Sequence, residues 1–135
     1  MLTLNKVTLI GYVGKEPTIV SLPTGKSLAS FNIATTEYWN DKNTGEKKQS
    51  TEWHRIISFI SVDFIKENVH SGSPIYLEGS IKKREYLDNG EKKTISEIII
   101  SIKGKIILLE SNKELFDEPE PQINDFPKNY DSEEL

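Results

Sequence analysis

The chain has 135 residues, long enough for one domain with a real core and too short for two of typical size. It has no cysteine, which excludes disulfides, thiol catalysis and Cys-type zinc sites together. Net charge is −4, and no apolar run approaches the roughly 20 residues needed to span a membrane. The opening residues, Met1-Leu2-Thr3-Leu4-Asn5-Lys6, lack a charged region followed by an apolar stretch, so no secretory signal is expected and a cytoplasmic protein is.

In chain order, residues 4–13 are rich in Val, Leu, Ile, Thr and Tyr and predict a first strand, closed by Gly14 and Pro17. A short apolar stretch, residues 18–22, leads into the turn Pro23-Thr24-Gly25-Lys26. Residues 27–39 form a strand with Leu28, Phe31 and Ile33, and residues 40–47 read as a polar loop. The strand pattern resumes over residues 52–60. Val62, Ile65 and Val69 then recur at helical spacing and end at Ser71-Gly72, which predicts one short helix. Residues 74–86 and 92–102 join through Asp88-Asn89-Gly90, and Asn-Gly between strands marks a hairpin because both residues tolerate positive φ. Ile98-Ile99-Ile100 is apolar on both faces, so that strand is covered on both sides or lies at a subunit contact. Residues 105–109 supply a last strand.

This order predicts an all-β fold, a five-stranded Greek-key barrel of the oligonucleotide/oligosaccharide-binding (OB) type with long hairpins and one short helix between strands three and four. The expected domain is residues 1–109, followed by a tail, residues 110–135. The tail holds nine acidic residues against two basic ones, a net of −7, which leaves 15 basic and 12 acidic in residues 1–109, a net of +3. With Pro119, Pro121 and Pro127 and no apolar periodicity, the tail is expected to be disordered.

Trp53, Arg55, Ile57 and Phe59 alternate along one strand and so share a face. Large aromatics beside a guanidinium suit a groove in which bases stack and phosphates are neutralised; the plain alternative is that the tryptophans fill a core. Trp39 and Trp53 bracket a loop carrying Lys42, Lys47 and Lys48. On the predicted hairpin, Lys82, Arg84 and Tyr86 share a face, with Lys83 near its tip, although a lysine-rich hairpin also serves simply as a solvated edge. Three cation clusters thus lie beside aromatics, as single-strand binders require. Trp39 has the parity of Phe31 and Ile33, which are candidate core positions, so it lies either at a bulge or past the strand end.

His54 points away from Trp53 and Arg55 by parity and reads as a packed or interface residue. Two histidines far apart without cysteine make no zinc site, and no phosphate-binding glycine loop or nucleophile elbow is present. A hydrolase using a carboxylate pair such as Glu37 and Glu52 is the rival from another class. An RNA-binding or primosome-type barrel is the rival within the fold.

The stretches Asn5-Lys6-Val7-Thr8-Leu9-Ile10-Gly11, Phe31-Asn32-Ile33-Ala34-Thr35-Thr36, Thr51-Glu52-Trp53-His54-Arg55 and Ile75-Tyr76-Leu77-Glu78-Gly79 resemble, in order and spacing, the bacterial single-stranded DNA-binding protein family. The resemblance implies an OB barrel, usually a homotetramer around which single-stranded DNA wraps, working in replication, recombination and repair without catalysis, cofactor or metal. It implies stacking on Trp39, Trp53 and Phe59, and on Tyr86 where many members carry tryptophan. Phosphates would be neutralised by Arg55, Arg84, Lys42, Lys47, Lys48, Lys82 and Lys83. His54 matches a position of subunit contact, and the first strand, with Val7 and Leu9, would pair across a dimer. Such members sit with the nucleoid and recruit replication and repair proteins through an acidic tail ending Pro-Phe. This chain departs there: it ends Ser132-Glu133-Glu134-Leu135, and the nearest echo is the internal Asn124-Asp125-Phe126-Pro127.

Overall fold

The computed structural model describes residues 1–110 and 118–128. Strands β1 (Val7–Val13), β2 (Thr18–Ser21), β3 (Ser27–Asn40) and β4 (Lys47–Ser58) precede helix α1 (Val62–Asn68), and β5 (Pro74–Asp88), β6 (Glu91–Ile100) and β7 (Lys105–Leu108) follow it. Five of these strands form a closed ring. β1 pairs with β3, β3 with β4, β4 with β6, β6 with β5, and β5 returns to β1. Only β4–β6 is parallel, across Ile56↔Ile98 to Ser58↔Ile100, and the short strands β2 and β7 flank β3 and β5. This is the OB barrel that the order of strands and helix predicts.

Turn chemistry places the hairpins. Asn89 and Gly90 have φ of 51° and 81°, the two consecutive positive values that a primed two-residue turn needs. Gly25 and Gly45 also take positive φ, closing the β2–β3 and β3–β4 connections. The β3–β4 hairpin is longer than its apolar pattern shows, because β4 begins at Lys47 rather than near Glu52. Lys47 to Thr51 lack hydrophobic alternation, but they pair with Thr36 to Asn40 of β3, and that ladder carries the hairpin beyond the barrel.

Ala29, Phe31, Ile33, Ile56, Ile75, Leu77, Ile98 and Ile100 fill the barrel. Ile65 and Val69 of the α1 segment enter the same core and Val62 packs against it, as their helical spacing requires. A second, smaller cluster of Leu22, Leu28 and Ile57 lies on the other side of β4, with Val20, Phe59, Ile99 and Phe126 against it. Ile98 and Ile100 therefore face one cluster and Ile99 the other, so this strand is covered on both sides within a single chain. No described helix is long and apolar enough to cross a membrane.

Closing a five-stranded ring requires strands to change partners. β5 leaves β1 at Gly79↔Val7 and takes up β6 at Ser80↔Ile99. A Cβ on Gly79 would stand 2.5 Å from the carbonyl oxygen of Ile99, a backbone atom with nowhere to go. Gly79→Ala should therefore lower stability by about 1–3 kcal/mol, read as a shift of the urea midpoint. An unchanged midpoint would show that the crossing has slack.

Candidate nucleic-acid interface

The register of β3 against β4 sorts the candidate residues onto two faces. It runs unbroken from Ala29↔Ser58 to Asn40↔Lys47. Trp53 sits opposite Ala34, Arg55 opposite Asn32 and Ile57 opposite Ser30, and the same face continues outward through Tyr38↔Gln49 and Asn40↔Lys47. The other face carries Ile33↔His54, Thr35↔Glu52, Glu37↔Ser50 and Trp39↔Lys48. Trp39 is thus neither at a bulge nor past the strand end. It keeps the parity of Phe31 and Ile33 but stands where the hairpin has left the barrel, 47% exposed. The two tryptophans lie on opposite faces of one hairpin, and it is the exposed Tyr38 that shares a face with Trp53 and Arg55.

The β5–β6 register adds to the Trp53 face. Lys82↔Glu97, Arg84↔Ile95 and Tyr86↔Lys93 alternate with Lys83↔Ser96, so Lys82, Arg84 and Tyr86 lie together and Lys83 points the other way. Lys82 and Lys83 are exposed and Tyr86 is half-buried. Lys42 and Lys47 are exposed around the other hairpin tip, where Lys48 pairs with Asp41 at 3.0 Å. Phe59 is half-buried against the Leu22, Leu28 and Ile57 cluster.

A carboxylate holds the two arginines together. The parallel β4–β6 pairing sets Arg55 beside Glu97, whose Oε2 accepts from Arg55 Nε at 2.9 Å. Glu97 Oε1 accepts from Arg84 Nε at 2.8 Å, and Arg84 Nη2 reaches Oε2 at 3.3 Å. Arg55 is 8% exposed and Glu97 2%. For Arg84, burial works against the charge, but Glu97 and Asp125 outweigh it and raise the guanidinium's pKa. One carboxylate between two guanidiniums fixes the direction of their remaining donors, and Asp125 supplies a second anion to Arg84. The sequence reading misses Glu97, although a lone acid among Ile95, Ile98, Ile99 and Ile100 is a signal that a buried cation must answer it.

A model of the single-strand binding protein family matches residues 4–106. The chain belongs to this family. Single-stranded DNA-binding proteins of Rickettsia felis and Rickettsia typhi are 41% and 40% identical to it over 113 residues, which cover 81% of this chain and 74% of each relative. Among solved structures it is similar to a Plasmodium falciparum SSB in complex with ssDNA, with a TM-score of 0.73, 41% identity, and coverage of 82% of this chain and 98% of that one. A deletion mutant of the Thermus aquaticus single-stranded DNA-binding protein matches with a TM-score of 0.65 and 25% identity, over 79% of this chain and 51% of that one.

In this family member, the residues expected at a subunit contact are dispersed. Val7 and Leu9 pack against the barrel core, and the outward row of β1 runs instead through Thr8 and the exposed Ile10. Ile10 pairs with Tyr76, which pairs with Ile107, giving an outward row with two exposed isoleucines across β1, β5 and β7. His54 is half-buried and its Nε2 lies 2.8 Å from the Thr35 hydroxyl. Glu37 and Glu52, the pair a hydrolase would use, are both exposed on the His54 face. Among the described residues, no group of three His, Cys, Asp or Glu gathers where it could hold a metal ion.

Two outcomes follow from these environments. Glu97→Leu leaves Arg55 buried without its anion, while Arg84 keeps Asp125, and should cost about 3–5 kcal/mol of stability in urea unfolding; a loss below about 1 kcal/mol would mean that the carboxylate is incidental. Burial holds the His54 imidazole below its ordinary value of 6.5, with Glu52 pulling weakly the other way. The folded state favours the neutral ring, so this contribution is complete above 6.5 and is lost as pH falls through the depressed folded value. The urea midpoint of the wild-type chain should therefore fall more than that of His54→Gln between about pH 7 and about pH 5, and parallel curves would refute the assignment.

Proposed function

We propose that this chain binds single-stranded DNA irrespective of sequence and protects it during replication, recombination and repair. The observation that carries the reading is the union, on one outer face of an OB barrel in a single-strand binding family member, of Trp53, Arg55, Arg84 and Tyr86 with lysines at both hairpin tips. Bases stack on the rings, and the cations neutralise phosphates and release counterions. Trp39, on the opposite face of its hairpin, meets a strand that wraps around that tip rather than one confined to the Trp53 face.

The chain acts by binding rather than by catalysis, in the cytoplasm and on the nucleoid. Its working parts are a binding body, residues 1–109, and an acidic tail, residues 110–135, of which 111–117 and 129–135 lie outside the described residues. The outward row of Ile10, Tyr76 and Ile107 supports assembly into a homotetramer, since exposed apolar side chains aligned across neighbouring strands mark an interaction surface. Replication and repair proteins would be recruited through the acidic tail.

Titration with poly-thymidine tests the reading. Tryptophan emission should be strongly quenched, binding should weaken with salt, and duplex DNA and RNA should bind much less well. Trp53→Ala should cost about 1–3 kcal/mol of affinity, and light scattering with and without a thymidine 70-mer should return four subunits in both cases. Equal affinity for duplex, or emission unmoved by DNA, would sink the assignment.

A further inference from the structure

The Trp53 face continues past the end of the barrel. Outward along the β3–β4 ladder, the same face carries Thr36↔Thr51, then Tyr38↔Gln49, then Asn40↔Lys47. Tyr38 lies four residues beyond Ala34, the partner of Trp53, so the two rings are set about 14 Å apart along the strands. Between them stand only Thr36 and Thr51, whose hydroxyls are 3.3 Å apart. Both side chains are short and Thr51 is buried, so nothing tall separates the indole from the phenol. Tyr38 is 65% exposed, more than Trp39 at 47%. It belongs to neither apolar cluster of the described residues, and a polar cross-strand neighbour such as Gln49 gives the fold little reason to hold a ring in water there.

Resting on the reading that the Trp53 face binds DNA, we propose that Tyr38, Gln49 and Lys47 form an outer nucleotide subsite on that face. A base of a single strand lies on the Tyr38 ring, the Gln49 amide meets its edge, and Lys47 meets a phosphate. The charge of the row suits an anionic strand. From Thr36 and Thr51 outward its one charged side chain is Lys47, whereas Glu37 and Glu52 both lie on the opposite, Trp39 face. Every base has a π-face, so a phenol accepts each of them, and an amide that both donates and accepts imposes no single base.

The subsite supplies a step that the two tryptophans lack by themselves. Trp53 and Trp39 lie on opposite faces of the hairpin, so a strand that leaves Trp53 must cross the polar outer half of the hairpin before it rounds the tip. Tyr38 and Trp39 are consecutive residues of an unbroken strand and therefore project rings to the two faces at one level. Lys47 and Lys48 alternate in the same way on the partner strand, Lys47 on the Tyr38 face and Lys48 opposite Trp39. Tyr38 thus seats the last base on one side of the hairpin, and Trp39 the first on the other. Without the phenol, the Trp53 face would offer no ring beyond the barrel on this hairpin.

The test uses the full chain and oligo-thymidine. Tyr38→Ser should weaken binding by about tenfold, the loss of one stacked base. It should leave the slope of log affinity against log salt unchanged, because a ring is lost and no cation is. Tyr38→Phe keeps the ring and should bind as the wild type does, and Lys47→Gln should instead reduce the salt slope by about 0.7. Irradiation of the wild-type complex with a strand carrying iodouracil should cross-link a base to Tyr38, located by mass spectrometry of the digested adduct, a readout that depends on no variant folding. The subsite is overturned, while DNA binding stands, if Tyr38→Ser binds as tightly as wild type, if Tyr38→Phe is as weak as Tyr38→Ser, or if cross-links form elsewhere and never on Tyr38. If the wild-type chain does not bind thymidine strands at all, the DNA reading itself falls and takes the subsite with it.

Discussion

The interaction on which the rest of this surface depends is a buried negative charge at the centre of a positive face. Arg55 is almost wholly enclosed, and an unpaired guanidinium in that position would be prohibitively costly. Glu97 removes the cost for Arg55 and reaches Arg84 with its other oxygen. One carboxylate thereby aims two forks in a set direction rather than on a flexible stem. Lysines at the hairpin tips lack this constraint and contribute attraction without geometry.

The barrel makes the network possible by bringing distant segments into register. Arg55 and Glu97 come from strands joined only by the parallel β4–β6 pairing, and Arg84 reaches Glu97 across the antiparallel β5–β6 ladder. Glycines at the strand crossings keep that ring tight; a side chain at Gly11 or Gly79 would meet a backbone carbonyl at 2.5 Å. Stability and function are coupled through the same strands, because any slip of β6 would carry Glu97 to the wrong face. The long hairpins then carry aromatics beyond the core, where parity no longer implies burial.

Much of the fold was legible because its signals are local. The hairpin at Asn89-Gly90 follows from backbone conformation, and α1 from the spacing of Val62, Ile65 and Val69. The shared face of Trp53, Arg55 and Ile57 follows from period-two alternation alone. The extension of β4 back to Lys47 was not legible, since those polar residues carry no hydrophobic pattern and are ordered by their partner strand. Nor was the seat of Phe126, which a composition rich in acid and proline disguises as a solvated tail.

By itself the amino-acid order determined which segments become strands, where they turn, and which residues could offer rings and cations to a nucleic acid. Those properties are set within a few residues by sterics and alternation. Only the tertiary structure decided that Trp39 and Trp53 part to opposite faces, that Glu97 pairs with arginines 42 and 13 residues away, and that an acidic stretch lies against the same donors. Each of these depends on inter-strand register or long-range charge pairing, and both exist only once the ring of strands has closed.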